Sequence, residues 1–90
     1  MAVTNMAAET FQIEVVTPEK QVLDQQADFA EIPGKDGYIG VLPGHAALLG
    51  ELGEGALKIT SGAQTREITV SGGYVEVRDN HVRVLADKAG

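Results

Sequence analysis

From Thr10 onward, apolar and polar residues alternate in twos. Phe11, Ile13 and Val15 alternate with Gln12 and Glu14. Leu57 and Ile59 flank Lys58, Ile68 and Val70 flank Thr69, Val75 and Val77 flank Glu76, and Val82 and Val84 flank Arg83. A period of two places the apolar side chains of each segment on one face of an extended strand. The other face is left to water, which is the pattern of antiparallel sheets with one solvated side. No segment sustains a helical stripe. Only Ala46 to Leu52 fits either a helical turn or a strand.

Turn chemistry separates these runs. Thr17-Pro18-Glu19-Lys20 carries proline early, where a β-turn favours it. Pro33-Gly34-Lys35-Asp36-Gly37 and Gly53-Glu54-Gly55 read as loop tips. Ser61-Gly62-Ala63-Gln64 suits a primed hairpin turn, and Asp79-Asn80 suits a two-residue hairpin because both side chains tolerate positive φ. Ser71-Gly72-Gly73 interrupts two strand runs as a bulge or a bend between sheets. Short strands with turns this frequent predict an all-β sandwich or small barrel.

Ninety residues make one core and no second. Residues 1–9 are small and polar without a period, and read as a loose N-terminal tail; residues 10–88 form the expected domain. The chain has no cysteine, so disulfides, thiolate metal sites and thiol nucleophiles are excluded. Its net charge of −6 disfavours nucleic acid and anionic lipid as partners. A partner with basic loops is allowed. No apolar run reaches the length of a membrane span, and the first residues carry no signal-peptide pattern, so direct membrane insertion is not expected.

The residues that could carry chemistry fail on spacing. His45 and His81 would have to converge with Asp36 or Asp79 to hold a metal, and no His-x-His or His-x-x-x-His pair exists. Ser71 precedes two glycines, but Thr69 stands where a nucleophile elbow needs glycine. Gly34-Lys35-Asp36 puts an acid where a phosphate loop needs a hydroxyl. Glu14, Glu67 and Glu76 sit where a solvated face would put them. No catalytic residue, metal site or cofactor is expected.

What remains is the stretch Gly37 to Leu49, which sets three glycines, a proline and His45 among apolar residues. Glycine at this density shapes a backbone surface that another chain can approach. Tyr38, Ile39 and Leu42 beside it read equally as core filling or as an exposed docking patch.

The ordered series Gly37-x-x-Gly40-x-x-Pro43-Gly44-His45-Ala46-x-Leu48-Leu49, Leu57-x-Ile59, Ser71-Gly72-Gly73-x-x-Glu76-Val77 and Val82-x-Val84-Leu85-Ala86-Asp87 resembles the epsilon subunit of F-type ATP synthases, called delta in mitochondria. Val15-Val16-Thr17-Pro18-Glu19 is similar to that family's first strand and turn. The resemblance covers Thr10 to Lys88. It implies a flattened sandwich of two antiparallel sheets with about ten short strands. It also implies a non-catalytic rotor subunit in the central stalk, linking the gamma subunit to the c-ring of the membrane sector.

By the same resemblance, Thr17, His45 and Gly50 face gamma, while Asp36, Gly37 and Tyr38 touch the polar loops of the c-ring. The family often carries a second acid where this chain has Tyr38, and many relatives have proline in place of Ala47. Most members continue into a helical hairpin that inhibits ATP hydrolysis and in some binds ATP. This sequence ends at Gly90, so the resemblance implies a chain without that brake. The expected location is peripheral, on the cytoplasmic, stromal or matrix face of an energy-transducing membrane. The alternative function is a free-standing β-sandwich adaptor or small-ligand carrier, with an enzyme as a third reading.

Overall fold

A computed structural model describes residues 9–90, so all of the expected N-terminal tail except Glu9 lies outside the described residues. Eight strands follow one another: β1 (Phe11–Val16), β2 (Gln21–Ala27), β3 (Phe29–Gly34), β4 (Gly37–Val41), β5 (Leu48–Glu51), β6 (Glu54–Ser61), β7 (Gln64–Arg78) and β8 (His81–Ala89). Hydrogen bonding links them in the order β2-β1-β8-β7-β6-β3-β4, with β5 paired to β7. The fold is all-β and sandwich-like, as the alternation requires.

The bend lies in β7. Its first half, Gln64–Ser71, pairs with β6, and Tyr74–Val77 pairs along the same edge with β5. Between them Gly72 and Gly73 take φ of 71° and 115°, values open to glycine and strained for other residues. The strand therefore turns without breaking, and β8 follows it along the opposite edge from Val70 to Arg78. The sheet folds over at this point and brings β2 against β6. The Ile68–Val70 and Val75–Val77 runs belong to one strand of 15 residues, and the described residues hold eight strands, near the expected ten.

Inward rows run straight across the sheet. Ile13, Val82, Val77 and Leu48 form one, and Val15, Val84, Val75 and Gly50 the next. Leu57, Ile59, Ala30, Ile32 and Val41 cover them from the other layer, and no polar or charged residue is buried among the described residues. Each large aliphatic side chain buried this way contributes roughly 1.5–3 kcal/mol.

Three local readings are revised. Strands β1 and β8 run parallel, Gln12 beside His81 through Val16 beside Leu85, in an otherwise antiparallel sheet. Gly53-Glu54-Gly55 is not a loop tip: Glu54 and Gly55 pair with Ser71 and Val70, and the Gly53 amide donates to the Pro33 carbonyl at 2.8 Å. Ala46 to Leu52 resolves as the strand β5 and its approach. The two hairpin turns form as their residues predict, with positive φ at Gly62 in one and at both Asp79 and Asn80 in the other.

Candidate functional site

Asp36 lies at the tip of the β3–β4 hairpin, between Gly34 and Gly37, which pair across the two-residue loop. Gly34 is required there, since a Cβ would stand 2.7 Å from the Gly37 carbonyl oxygen. Neighbouring chain fixes the tip: the Lys35 amide donates to the Glu51 carbonyl at 2.9 Å, and their side chains form an exposed ion pair at 3.5 Å. Asp36 and Gly37 are exposed.

Tyr38 belongs to β4 rather than to the tip. Its ring is 57% exposed, yet its hydroxyl accepts a hydrogen bond from the Ala56 amide at 3.2 Å. The β3–β6 ladder pairs Glu31 with Lys58 and goes no further. Pro33, beyond that end, gives its carbonyl to the Gly53 amide, and the phenol oxygen accepts from the Ala56 amide instead. Gly55 leaves room for it, because a Cβ there would meet the hydroxyl at 2.7 Å. Of the three residues with two readings, Tyr38 and Leu42 are exposed, whereas Ile39 is half-buried against the core.

Leu42-Pro43-Gly44-His45 closes as a β-turn, with the His45 amide donating to the Leu42 carbonyl at 3.1 Å. Proline at the second position and φ of 83° at Gly44 are what a type II turn demands. The turn is tied to the β7–β8 hairpin by the Gly44 amide, which donates to Asn80 Oδ1 at 2.6 Å. His45 is half-buried, and its Nδ1 lies 2.7 Å from the Ala46 carbonyl oxygen.

Gly50 pairs with Val75 on the outer strand β5. An added Cβ would only touch Val75 at 3.9 Å, so space does not dictate glycine. Its side-chain position faces inward with Val75, while its neighbours Leu49 and Glu51 are exposed on the outer face. Asp36, Gly37, Tyr38 and Gly50 line one open depression of about 360 Å³ between β4 and β5. Thr17 stands apart, across β7 and β8 from β5, roughly 14 Å by strand spacing. There its hydroxyl accepts from the Glu19 and Lys20 amides at 3.3 Å and shapes the β1–β2 turn. Four of the six candidate residues thus share one depression, and Thr17 and His45 lie outside it.

Two features escaped the sequence reading. The first is a polar ladder on the outer face of β1, β2 and β8. Glu14 Oε1 accepts from Arg83 Nε at 3.2 Å and lies 3.1 Å from His81 Nε2, while its Oε2 accepts from Gln21 at 3.2 Å. Hydrogen bonding from His81, and then from Arg83, holds the Glu14 carboxyl below its ordinary range against the opposing pull of desolvation. The second is an apolar row on the same face, exposed Tyr74 beside exposed Leu85 and Leu85 beside half-buried Val16. Both depend on the parallel β1–β8 register, for which a sequence offers no direct signal.

A family model described as ATP synthase, Delta/Epsilon chain, beta-sandwich domain matches residues 10–90. The ATP synthase epsilon chain of Solibacter usitatus (strain Ellin6076) is 49% identical over 81 residues, which are 90% of this chain and 60% of that one. The epsilon chain of Desulfitobacterium hafniense (strain DSM 10664 / DCB-2) is 45% identical over 82 residues, 91% of this chain and 62% of that one. The chain therefore spans about 60% of the length of these curated relatives. Among solved structures, a chain of the Euglena gracilis mitochondrial ATP synthase, OSCP/F1/c-ring in rotational state 1, matches with a TM-score of 0.84 at 23% identity. The match covers 90% of this chain and 52% of that one. A chain of the Tetrahymena thermophila mitochondrial ATP synthase central stalk/c-ring matches at 0.75 and 20% identity, covering 88% and 64%. These two likenesses establish the fold.

Proposed function

The chain belongs to the family of ATP synthase delta and epsilon chains, as their β-sandwich domain, and on that premise we propose that it is a non-catalytic central-stalk component of an F-type ATP synthase. In this role it links the gamma subunit to the c-ring and helps couple proton transport to ATP synthesis. The observation that carries the reading is the family match across residues 10–90. The structural neighbours, which are assemblies of F1, central stalk and c-ring, support it.

Thr17, His45 and Gly50 are the gamma-facing residues in this proposal, and Asp36, Gly37 and Tyr38 face the c-ring. Their geometry suits contact rather than chemistry. The type II turn at His45 and the outer strand that carries Gly50 offer backbone to a partner. Asp36 offers an exposed carboxylate at a hairpin tip. Because position 38 carries a phenol rather than a second carboxylate, the ionic part of the ring contact falls to Asp36. A net charge of −6 favours encounter with basic loops. The protein would sit peripherally, on the cytoplasmic, stromal or matrix side, held by the complex.

Titration of the protein with an F-type ATP synthase gamma subunit tests this reading. A saturable one-to-one complex is expected; absence of a complex with folded gamma at micromolar concentration overturns it.

A further inference from the structure

Segment 42–47 lies between two strands of different layers and belongs to neither. Among the described residues, it has one hydrogen bond to another part of the chain, from the Gly44 amide to Asn80 Oδ1 at 2.6 Å. The bond from the His45 amide to Leu42 and the contact of the His45 ring with Ala46 are internal to the segment. Asn80 is itself held: its carbonyl accepts from the Gln12 amide at 2.9 Å, and its φ is 58°. Few side chains meet both demands at this place. The backbone must be left-handed, and a short side chain must present an acceptor; Asn and Asp do both, and Gly meets only the first.

We propose that Asn80 is a positioning residue for partner binding. It fixes the Leu42–His45 turn to the β7–β8 hairpin and so sets how His45 is presented. This rests on the assignment of His45 to the gamma contact. A free turn would sample other orientations, and binding would have to select one, so loss of the tether lowers affinity without removing any direct contact.

The test compares the wild type with Asn80→Gly and Asn80→Asp. Asp79 followed by glycine is a favoured type I′ pair, so the first variant keeps the hairpin. Hydrogen exchange at the Gly44 amide is expected to speed up in Asn80→Gly and return to the wild-type rate in Asn80→Asp. Affinity for the gamma subunit should fall about fivefold in Asn80→Gly, the equivalent of one neutral hydrogen bond, and recover in Asn80→Asp. The thermal unfolding midpoint of Asn80→Gly should stay within a few degrees of the wild type, because glycine's ease at a φ of 58° offsets the lost hydrogen bond. Unchanged Gly44 exchange, or unchanged affinity beside a wild type that binds, overturns the role of Asn80. A lowered midpoint that tracks the affinity loss overturns it too, reducing Asn80 to a stability residue. A wild type that binds no gamma overturns the stalk assignment itself, and this inference with it.

Discussion

Replacing Gly73 with alanine probes the bend on which the two layers depend. At Gly73 the φ is 115°, and an added Cβ would stand 2.0 Å from the Leu85 carbonyl oxygen and 3.0 Å from Ala86 Cα. Both belong to the backbone of β8, so no side-chain rotation relieves the contact. To reach even a tight separation, β8 must withdraw by roughly 1 Å from a partner normally 4.7–4.9 Å away. Strained φ costs about 1–3 kcal/mol, and two weakened ladder bonds cost about 1 kcal/mol each. The total is about 4 kcal/mol, a large share of the roughly 5–15 kcal/mol that holds a domain folded. Gly72→Ala is the control. Its φ is also positive, at 71°, but its Cβ would meet the Asp87 carboxylate, which can swing away; its cost is about 1–2 kcal/mol. In urea, with a slope of about 1.5 kcal/mol per molar, Gly73→Ala should lower the midpoint by about 2–3 M and Gly72→Ala by about 1 M. Coincident midpoints for the two variants would refute the placement of the bend against β8.

Three further outcomes follow from the same packing. Val84→Asp puts a carboxylate into the fully buried row between Val15 and Val75 and should cost over about 4 kcal/mol, seen as loss of the β-sheet circular dichroism signal; a folded variant would mean the inward face is misassigned. Glu14 is held below its ordinary value of 4.5, so its ion pairs stabilise fully above that pH and lose their effect as pH falls through the lower folded value. The stability gap between wild type and Glu14→Gln should accordingly close on acidification below about pH 4.5, and a gap that stays constant would contradict the ladder. Tyr38→Phe removes the acceptor of the Ala56 amide and should cost about 1 kcal/mol with faster exchange at that amide alone; unchanged exchange would show that the hydroxyl is not engaged.

Much of this architecture is visible in the alternation itself. Phe11, Ile13, Val15, Val75, Val77, Val82 and Val84 point inward as their spacing predicts, because one-residue slips would put a whole strand's apolar set into water. Turns at Gly62, Asp79 and Asn80 were legible because few residues accept their backbone angles. Pairing partners were not. The alternation in Phe11–Val16 is the same whether β1 lies parallel or antiparallel to β8, so Glu14 read as an ordinary solvated acid although Arg83 and His81 surround it. Gly53-Glu54-Gly55 looked like a turn because glycine also marks close approach, here to Tyr38 and to the Gly34 backbone. Of the candidate site, the hairpin tip that carries Asp36 was readable from turn chemistry, whereas the Pro43-Gly44-His45 turn was read only as a glycine-shaped surface. The engagement of Tyr38 by Ala56 and of Gly44 by Asn80 required the third dimension.

Because the chain has no native cysteine, single cysteines report unambiguously on neighbours in an assembled synthase. His45→Cys and Asp36→Cys, each carrying a short photoactivated cross-linker, test the central claim most directly. The label at position 45 is expected to capture the gamma subunit, and the label at position 36 to capture c subunits. Assembled enzyme in which neither label reaches either partner would contradict that claim.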